Sequence, residues 1–128
     1  MEQKTATIQF INKPNYISIS FSGSLEYGLI EDIKKQLQSQ SFETELGFIL
    51  DMSRVKNIDS TGFGMIVNFA KKVSMQNKKI VIIVVDSFVR KLFAISQCDK
   101  IFPIVENETN ALKVIQGSSH TELSINEY

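Results

Sequence analysis

The run Asp59-Ser60-Thr61-Gly62-Phe63-Gly64 sets a carboxylate and two hydroxyls side by side where an apolar, strand-like stretch gives way to helical periodicity. The first four N–H groups of a helix lack partners within it, and the aligned peptide dipoles add partial positive charge there. A hydroxyl in that position has two uses. It caps the helix by accepting one of those N–H bonds, or it takes a phosphoryl group whose charge the helix start tolerates. Asp, Ser and Thr are all preferred capping residues, so the local sequence leaves both uses open for Ser60. Gly62 and Gly64 are poor helix formers, at roughly 1 kcal/mol each relative to alanine. Their missing side chains either let a partner approach the Ser60 backbone or serve the local turn. Met65 projects away from Ile66, Phe69 and Val73, which read as core. With Phe63 or Asn68 it either joins an exposed contact patch or fills against a neighbouring helix.

The elements around this run have to position it. Residues 5–11 and 16–22 are alternating stretches separated by Asn12-Lys13-Pro14-Asn15, a turn signal. Ile17, Ile19 and Phe21 alternate with Ser18, Ser20 and Ser22, which predicts one packed face and one wet face in an antiparallel edge pair, ended by Gly23. Leu29, Ile30, Ile33 and Leu37 recur at helical spacing and predict an amphipathic helix over 27–40. Phe48-Ile49-Leu50 and the run 79–85 are continuously apolar and β-branched, as in parallel strands covered on both faces. Helices are expected at 60–76, 87–97 and 109–115, with a short strand at 102–105.

The result is a β-β-α-β-α-β-α-β-α order and an α/β fold with right-handed crossovers. In such a sheet the functional crevice lies beyond the carboxyl ends of the strands, which is where the link from Asp51 to Gly62 falls. Asp51 is expected to accept N–H bonds in a turn over 53–58, with a partner-facing role as the alternative. Arg90 and Lys91 read as solvated, and Lys71, Lys72, Lys78 and Lys79 as an exposed helix end and turn.

Composition narrows the function. The 128 residues suit one domain, and 43% apolar content is ordinary for a globular core. Lys+Arg and Asp+Glu are equal at 14 each, which points to neither nucleic acid nor an acidic membrane surface. Cys98 is the only cysteine and His120 the only histidine, so an internal disulfide and a Cys/His metal cluster are excluded. Cys98 reads as an incidental thiol. His120 sits in the polar stretch Ser118-Ser119-His120-Thr121-Glu122, too unconstrained for a catalytic base. Ser60 beside Asp59 has no positioned base, so no enzyme is expected. With no apolar leader and no span-length apolar run, a cytoplasmic location is the expectation.

The whole pattern resembles the STAS domain family, and within it the small stand-alone anti-sigma factor antagonists of bacteria. The resemblance covers roughly residues 8–115. It is carried by Ile49-Leu50-Asp51-Met52-Ser53-Arg54-Val55-Lys56-Asn57-Ile58-Asp59-Ser60-Thr61-Gly62-Phe63-Gly64, and supported by Gly23-Ser24-Leu25-Glu26, Val89-Arg90-Lys91-Leu92-Phe93 and Ala111-Leu112. It implies a single STAS-like domain over residues 1–116: a mixed, mainly parallel sheet with an antiparallel N-terminal strand pair and about four helices. A polar, disordered tail is expected over 117–128.

The resemblance also implies a phosphorylation-controlled binding switch at Ser60, with Asp59, Thr61, Gly62, Phe63, Gly64 and Met65 around it as partner-binding residues. The implied partners are an anti-sigma factor with serine-kinase activity and, transiently, a serine phosphatase. The anti-sigma factor is bound when Ser60 is unmodified and released when it is phosphorylated. No cofactor, metal, nucleic acid or direct membrane contact is implied. The alternative is a STAS adaptor or small anionic-ligand-binding regulatory subunit of a transporter or signalling assembly. Two positions depart from the family pattern. Glu26 stands where Asp is usual, and Ser96-Gln97-Cys98 replaces a Ser-Gly helix end.

Overall fold

The Asn12-Lys13-Pro14-Asn15 turn folds strand β1 (Ala6–Asn12) back on β2 (Tyr16–Leu25), with Lys13 N–H donating to Tyr16 O at 2.9 Å. The computed structural model describes residues 3–40 and 47–126, with side chains as far as Gly117. After β2 come α1 (Glu31–Ser39), β3 (Gly47–Ile58), α2 (Ser60–Ser74), β4 (Lys79–Ile83), α3 (Ser87–Ile95), a single 3-10 turn (Cys98–Lys100), β5 (Ile104–Val105) and α4 (Glu108–Asn126). The strands form one sheet in the order β1-β2-β3-β4-β5. β1 and β2 are antiparallel and every later neighbour is parallel, the mixed α/β sheet expected from the alternation of strand and helix patterns.

The apolar runs of β3 and β4 divide by parity. Phe48, Leu50, Ile80, Ile82 and Val84 face a large core with Ile33 of α1, Ile66 and Phe69 of α2, and Val89 and Phe93 of α3. Ile49, Val81 and Ile83 face a smaller core closed by Ala111 and Ile115 of α4. Successive side chains of a strand point to opposite faces, so both faces must be roofed, and they are.

Several boundaries differ from the sequence reading; β4 already ends at Ile83, α3 at Ile95, and β5 starts only at Ile104. The helix expected from residue 27 starts at Glu31, because Gly28 takes a left-handed φ of +89° and the chain first turns with Leu29 N–H on Glu26 O, 2.9 Å. The turn expected over 53–58 is strand: β3 continues to Ile58 alongside β2, with Ser22 opposite Arg54 and Leu25 opposite Ile58. Register shifts between Ser20/Ser22 and Gly23/Ser24 insert extra residues, so Met52, Val55 and Ile58 are buried at every third position. Bulges of this kind erase the period-2 signal. Correspondingly, β2 runs past Gly23, where the missing Cβ leaves room for Thr5 O; an added one would lie 2.1 Å from it. The tail set apart at 117–128 begins inside α4, and its side chains lie outside the described residues.

At the end of α3 the chain closes without glycine. Gln97 itself adopts φ 64° and ψ 16°, donates its N–H to Ala94 O at 3.1 Å, and precedes the 3-10 turn that buries Cys98. An L-residue pays steric strain in this conformation that glycine does not. Gln97→Gly is therefore expected to raise stability by about 0.5–1 kcal/mol after allowing for the greater freedom of the unfolded chain. Urea denaturation of the two proteins measures this, and an unchanged or lower midpoint contradicts it.

Candidate functional site

Strand β3 delivers the chain to Asp59, whose backbone is still extended (φ −115°, ψ −176°), and α2 begins at the next residue. Asp59 is bonded in every direction. Its N–H donates to Leu25 O at 3.2 Å, and its carbonyl accepts Phe63 N–H at 2.9 Å. One carboxylate oxygen, Oδ1, accepts Gly62 N–H at 3.0 Å and so caps α2. The other, Oδ2, accepts Tyr27 N–H at 2.9 Å from the loop between β2 and α1. These bonds, Tyr27 first and Gly62 next, favour the ionised form and hold the Asp59 carboxyl below the usual carboxylate range. The carboxylate is thus a fixed negative charge tying two elements together.

The cap belongs to Asp59, and this separates the two uses of Ser60 that the sequence left open. Ser60 is the first residue of α2 and is exposed, as is Thr61. Gly62 is buried, and its backbone lies against the end of β2: an added Cβ would sit 1.9 Å from Leu25 O. The close approach that demands glycine here is made by the chain's own strand. At Gly64 a Cβ would meet nothing within 4 Å, so that glycine fronts open space.

Phe63 and Met65 do not share a patch. Phe63 is half-buried and meets Phe93 of α3 edge-on, with ring centres 4.9 Å apart at 70°. Met65 is only 8% exposed. It turns the other way, into a cleft of about 220 Å³ between α1 and α2 lined also by Lys34, Leu37, Asn68 and Lys72. Of the two roles the sequence left open for Met65, the structure shows packing towards a neighbouring helix, with Asn68 beside it in the cleft; a rotation of about 200° separates it from Phe63.

Tyr27 is the site residue that sequence reasoning missed. It is 80% exposed, yet its backbone is fixed by the bond to Asp59, one residue from Ser60. Its neighbour Gly28 was the available signal for a turn there; the helical run starting at Leu29 concealed it. Glu26, the longer carboxylate, reaches Lys4 Nζ at 3.3 Å. Asp51 accepts Ser53 N–H at 2.9 Å, the local structural role expected of it, within a strand instead of a turn. Arg90 is not simply solvated: it donates to Val84 O at 3.0 Å and lies 3.5 Å from Glu106. Lys79 likewise anchors, donating to Ile115 O at 3.2 Å, whereas Lys71, Lys72 and Lys91 are exposed. Among the described residues no group of three His, Cys, Asp or Glu side chains is placed to hold a metal, and no helix is long and apolar enough to cross a membrane.

The fold and site define a small α/β domain with a hydroxyl presented at a capped helix start, beyond the carboxyl ends of parallel strands. Residues 7–111 match the STAS domain, and the chain belongs to that family. Its structure is similar to that of an anti-sigma factor antagonist from Mycobacterium paratuberculosis, at 16% identity and a TM-score of 0.74 over 88% of this chain and 95% of the other. It is also similar to the Bacillus cell fate determinant SpoIIAA in its phosphorylated form, at 17% identity and 0.66 over 86% and 100%. A sulfate transporter family protein from Wolinella succinogenes aligns with 18% identity and 0.69 over 83% and 88%.

Two expectations follow from the junction. Gly62→Ala should destabilise the domain by about 1–3 kcal/mol through overpacking, while Gly64→Ala should be neutral or stabilise it by up to about 1 kcal/mol. Chemical denaturation of the pair checks the contrast, and equal effects would contradict it. The second concerns pH. Because the folded-state pKa of Asp59 lies below its unfolded value, its contribution is fully present above the ordinary carboxylate pKa and is lost as pH falls through the folded value. Asp59→Asn should be less stable than wild type at neutral pH, and the gap should narrow as the pH falls below the ordinary carboxylate value of about 3.9. Urea midpoints across that range test the sign.

Proposed function

We propose that this chain is an anti-sigma factor antagonist, a non-enzymatic partner switch controlled by phosphorylation of Ser60. The observation that carries the proposal is the assignment of the cap to Asp59: the adjoining Ser60 is left exposed at the first position of α2. The likeness to an anti-sigma factor antagonist, and to the cell fate determinant SpoIIAA in its phosphorylated form, supports the same reading. The bound partner is an anti-sigma factor with serine-kinase activity, and a serine phosphatase restores the unmodified form. The domain that binds comprises residues 1–116, and the protein acts in the cytoplasm.

The physics suits such a switch. A phosphate at Ser60 adds a charge of about −1.5 to −2 at a helix start, where anions are stabilised by roughly 0.3–1 kcal/mol. The ionised Asp59 beside it opposes that gain, so the fold stays close to neutral towards the modification. Binding responds differently, since closing an interface over an unpaired dianion costs several kcal/mol. Thr61 and Gly64 border Ser60 on the accessible surface, and Tyr27 stands beside Asp59. Phe63 and Met65 contribute by setting the angle of α2 between its neighbours.

A second reading, an adaptor or anion-binding regulatory subunit of a transporter, is favoured by the likeness to the sulfate transporter family protein. Incubation with candidate anti-sigma kinases and ATP distinguishes the two, with intact mass and binding recorded for wild type, Ser60→Ala and Ser60→Asp. One added phosphate at Ser60, retained binding by the Ala form and a loss of about a hundredfold or more by the Asp form are expected. If no kinase adds phosphate and the three forms bind alike, the switch is refuted and the adaptor reading leads.

A further inference from the structure

The carboxyl ends of β2 and β3, with the residues leading into β1, line an open groove of about 800 Å³ that the Ser60 switch does not use. Lys4, Arg54 and Lys56 supply its charge, and Ser22, Ser24 and Asn57 supply hydroxyl and amide groups; no carboxylate is among its lining residues. Lys4 is matched by Glu26, but Arg54 and Lys56 are exposed and form no ion pair among the described residues. In a chain whose formal charges cancel, this is a local concentration of one sign. The backbone creates it. The pairing jumps from Ser20–Asp51 to Ser22–Arg54 and from Gly23–Val55 to Ser24–Asn57, so Lys56 is the extra residue of the second bulge. Residues two apart on a strand share a face, and both Arg54 and Lys56 line the groove, with the bulge adding twist at Lys56.

The groove is also continuous with the switch. Asn57 Nδ2 lies 3.1 Å from Ser24 Oγ at its rim; Ile58 pairs with Leu25, and Asp59 and Ser60 follow directly. A protein that covers Ser60 meets this groove at its border. Its cations are strung along the strands, and no helix start converges on it; this arrangement suits an extended polyanion better than a compact phosphate. We propose that the groove docks an extended, carboxylate-rich segment of the protein that binds at Ser60, with Arg54 and Lys56 as its charge partners. Complementary charge of this kind sets encounter rate and orientation. The identity of the partner rests on the Ser60 reading; the chemistry of the groove does not.

The test is a titration of the isotopically labelled full chain with octaglutamate, followed by backbone amide shifts at about 20 mM and about 200 mM salt. Shifts centred on residues 22–24 and 53–57 are expected, with affinity falling roughly tenfold or more at the higher salt. Arg54→Glu/Lys56→Glu should weaken binding by a similar factor, and the neutral pair Arg54→Gln/Lys56→Gln should act in the same direction without adding like charges. Lys71→Glu/Lys72→Glu, on exposed α2 positions, should leave it unchanged. Absence of shifts, shifts spread over every basic surface, or equal loss in the Lys71/Lys72 control overturns the proposal. So does tighter binding of inorganic triphosphate or an RNA octamer at the same amides, which would make the groove a phosphate site. No kinase takes part, so failure of phosphorylation at Ser60 and failure of this docking site are separate results.

Discussion

The carboxylate of Asp59 is the joint on which this domain turns. Its two oxygens accept N–H groups from elements far apart in sequence, the loop after β2 and the first turn of α2. The same residue's backbone links the end of β2 to Phe63. With Gly62 seated against Leu25, the helix start is packed closely on the end of β2. A site on a rigid helix start is presented in one orientation, and that orientation is what a partner surface has to match.

This arrangement divides labour among adjacent residues of similar chemistry. Asp, Ser and Thr are interchangeable as caps in a general sense, but only one of them can occupy the cap. Once Asp59 holds it, the hydroxyls of Ser60 and Thr61 are not needed as the cap, and both residues stay exposed. The aromatic contact between Phe63 and Phe93, and the burial of Met65 towards α1, brace the helix on either side. The residues with the largest apolar surface in the segment thus hold the small polar ones in place.

Most of the architecture was legible because the central strands are apolar on both faces and the helices are amphipathic. Phe48-Ile49-Leu50 and Ile80 to Val84 could only be strands roofed on both sides, and the structure divides them by parity between two cores. What escaped has identifiable causes. Two bulges disguised the second half of β3 as a polar link, since periodicity is lost wherever an extra residue enters the ladder. Gly28 turned Tyr27 out of the helix in which it was placed. Arg90 and Lys79 form backbone contacts across the fold, which single-sequence charge patterns cannot register. At the start of α2, sequence named Asp59 and Ser60 together but had no means of deciding which one capped; that choice is a matter of angle and reach.

The burial of the lone thiol has a consequence for observing the molecule at work. Cys98 is 6% exposed, its side chain buried at the start of the 3-10 turn that follows the left-handed Gln97. A thiol reagent reaches it only when the turn lifts from the core, so the labelling rate reports how often that corner of the domain opens. The chain thereby carries an intrinsic clock of local breathing next to α3, the helix on which Phe63 leans, and it can be read without adding a probe elsewhere.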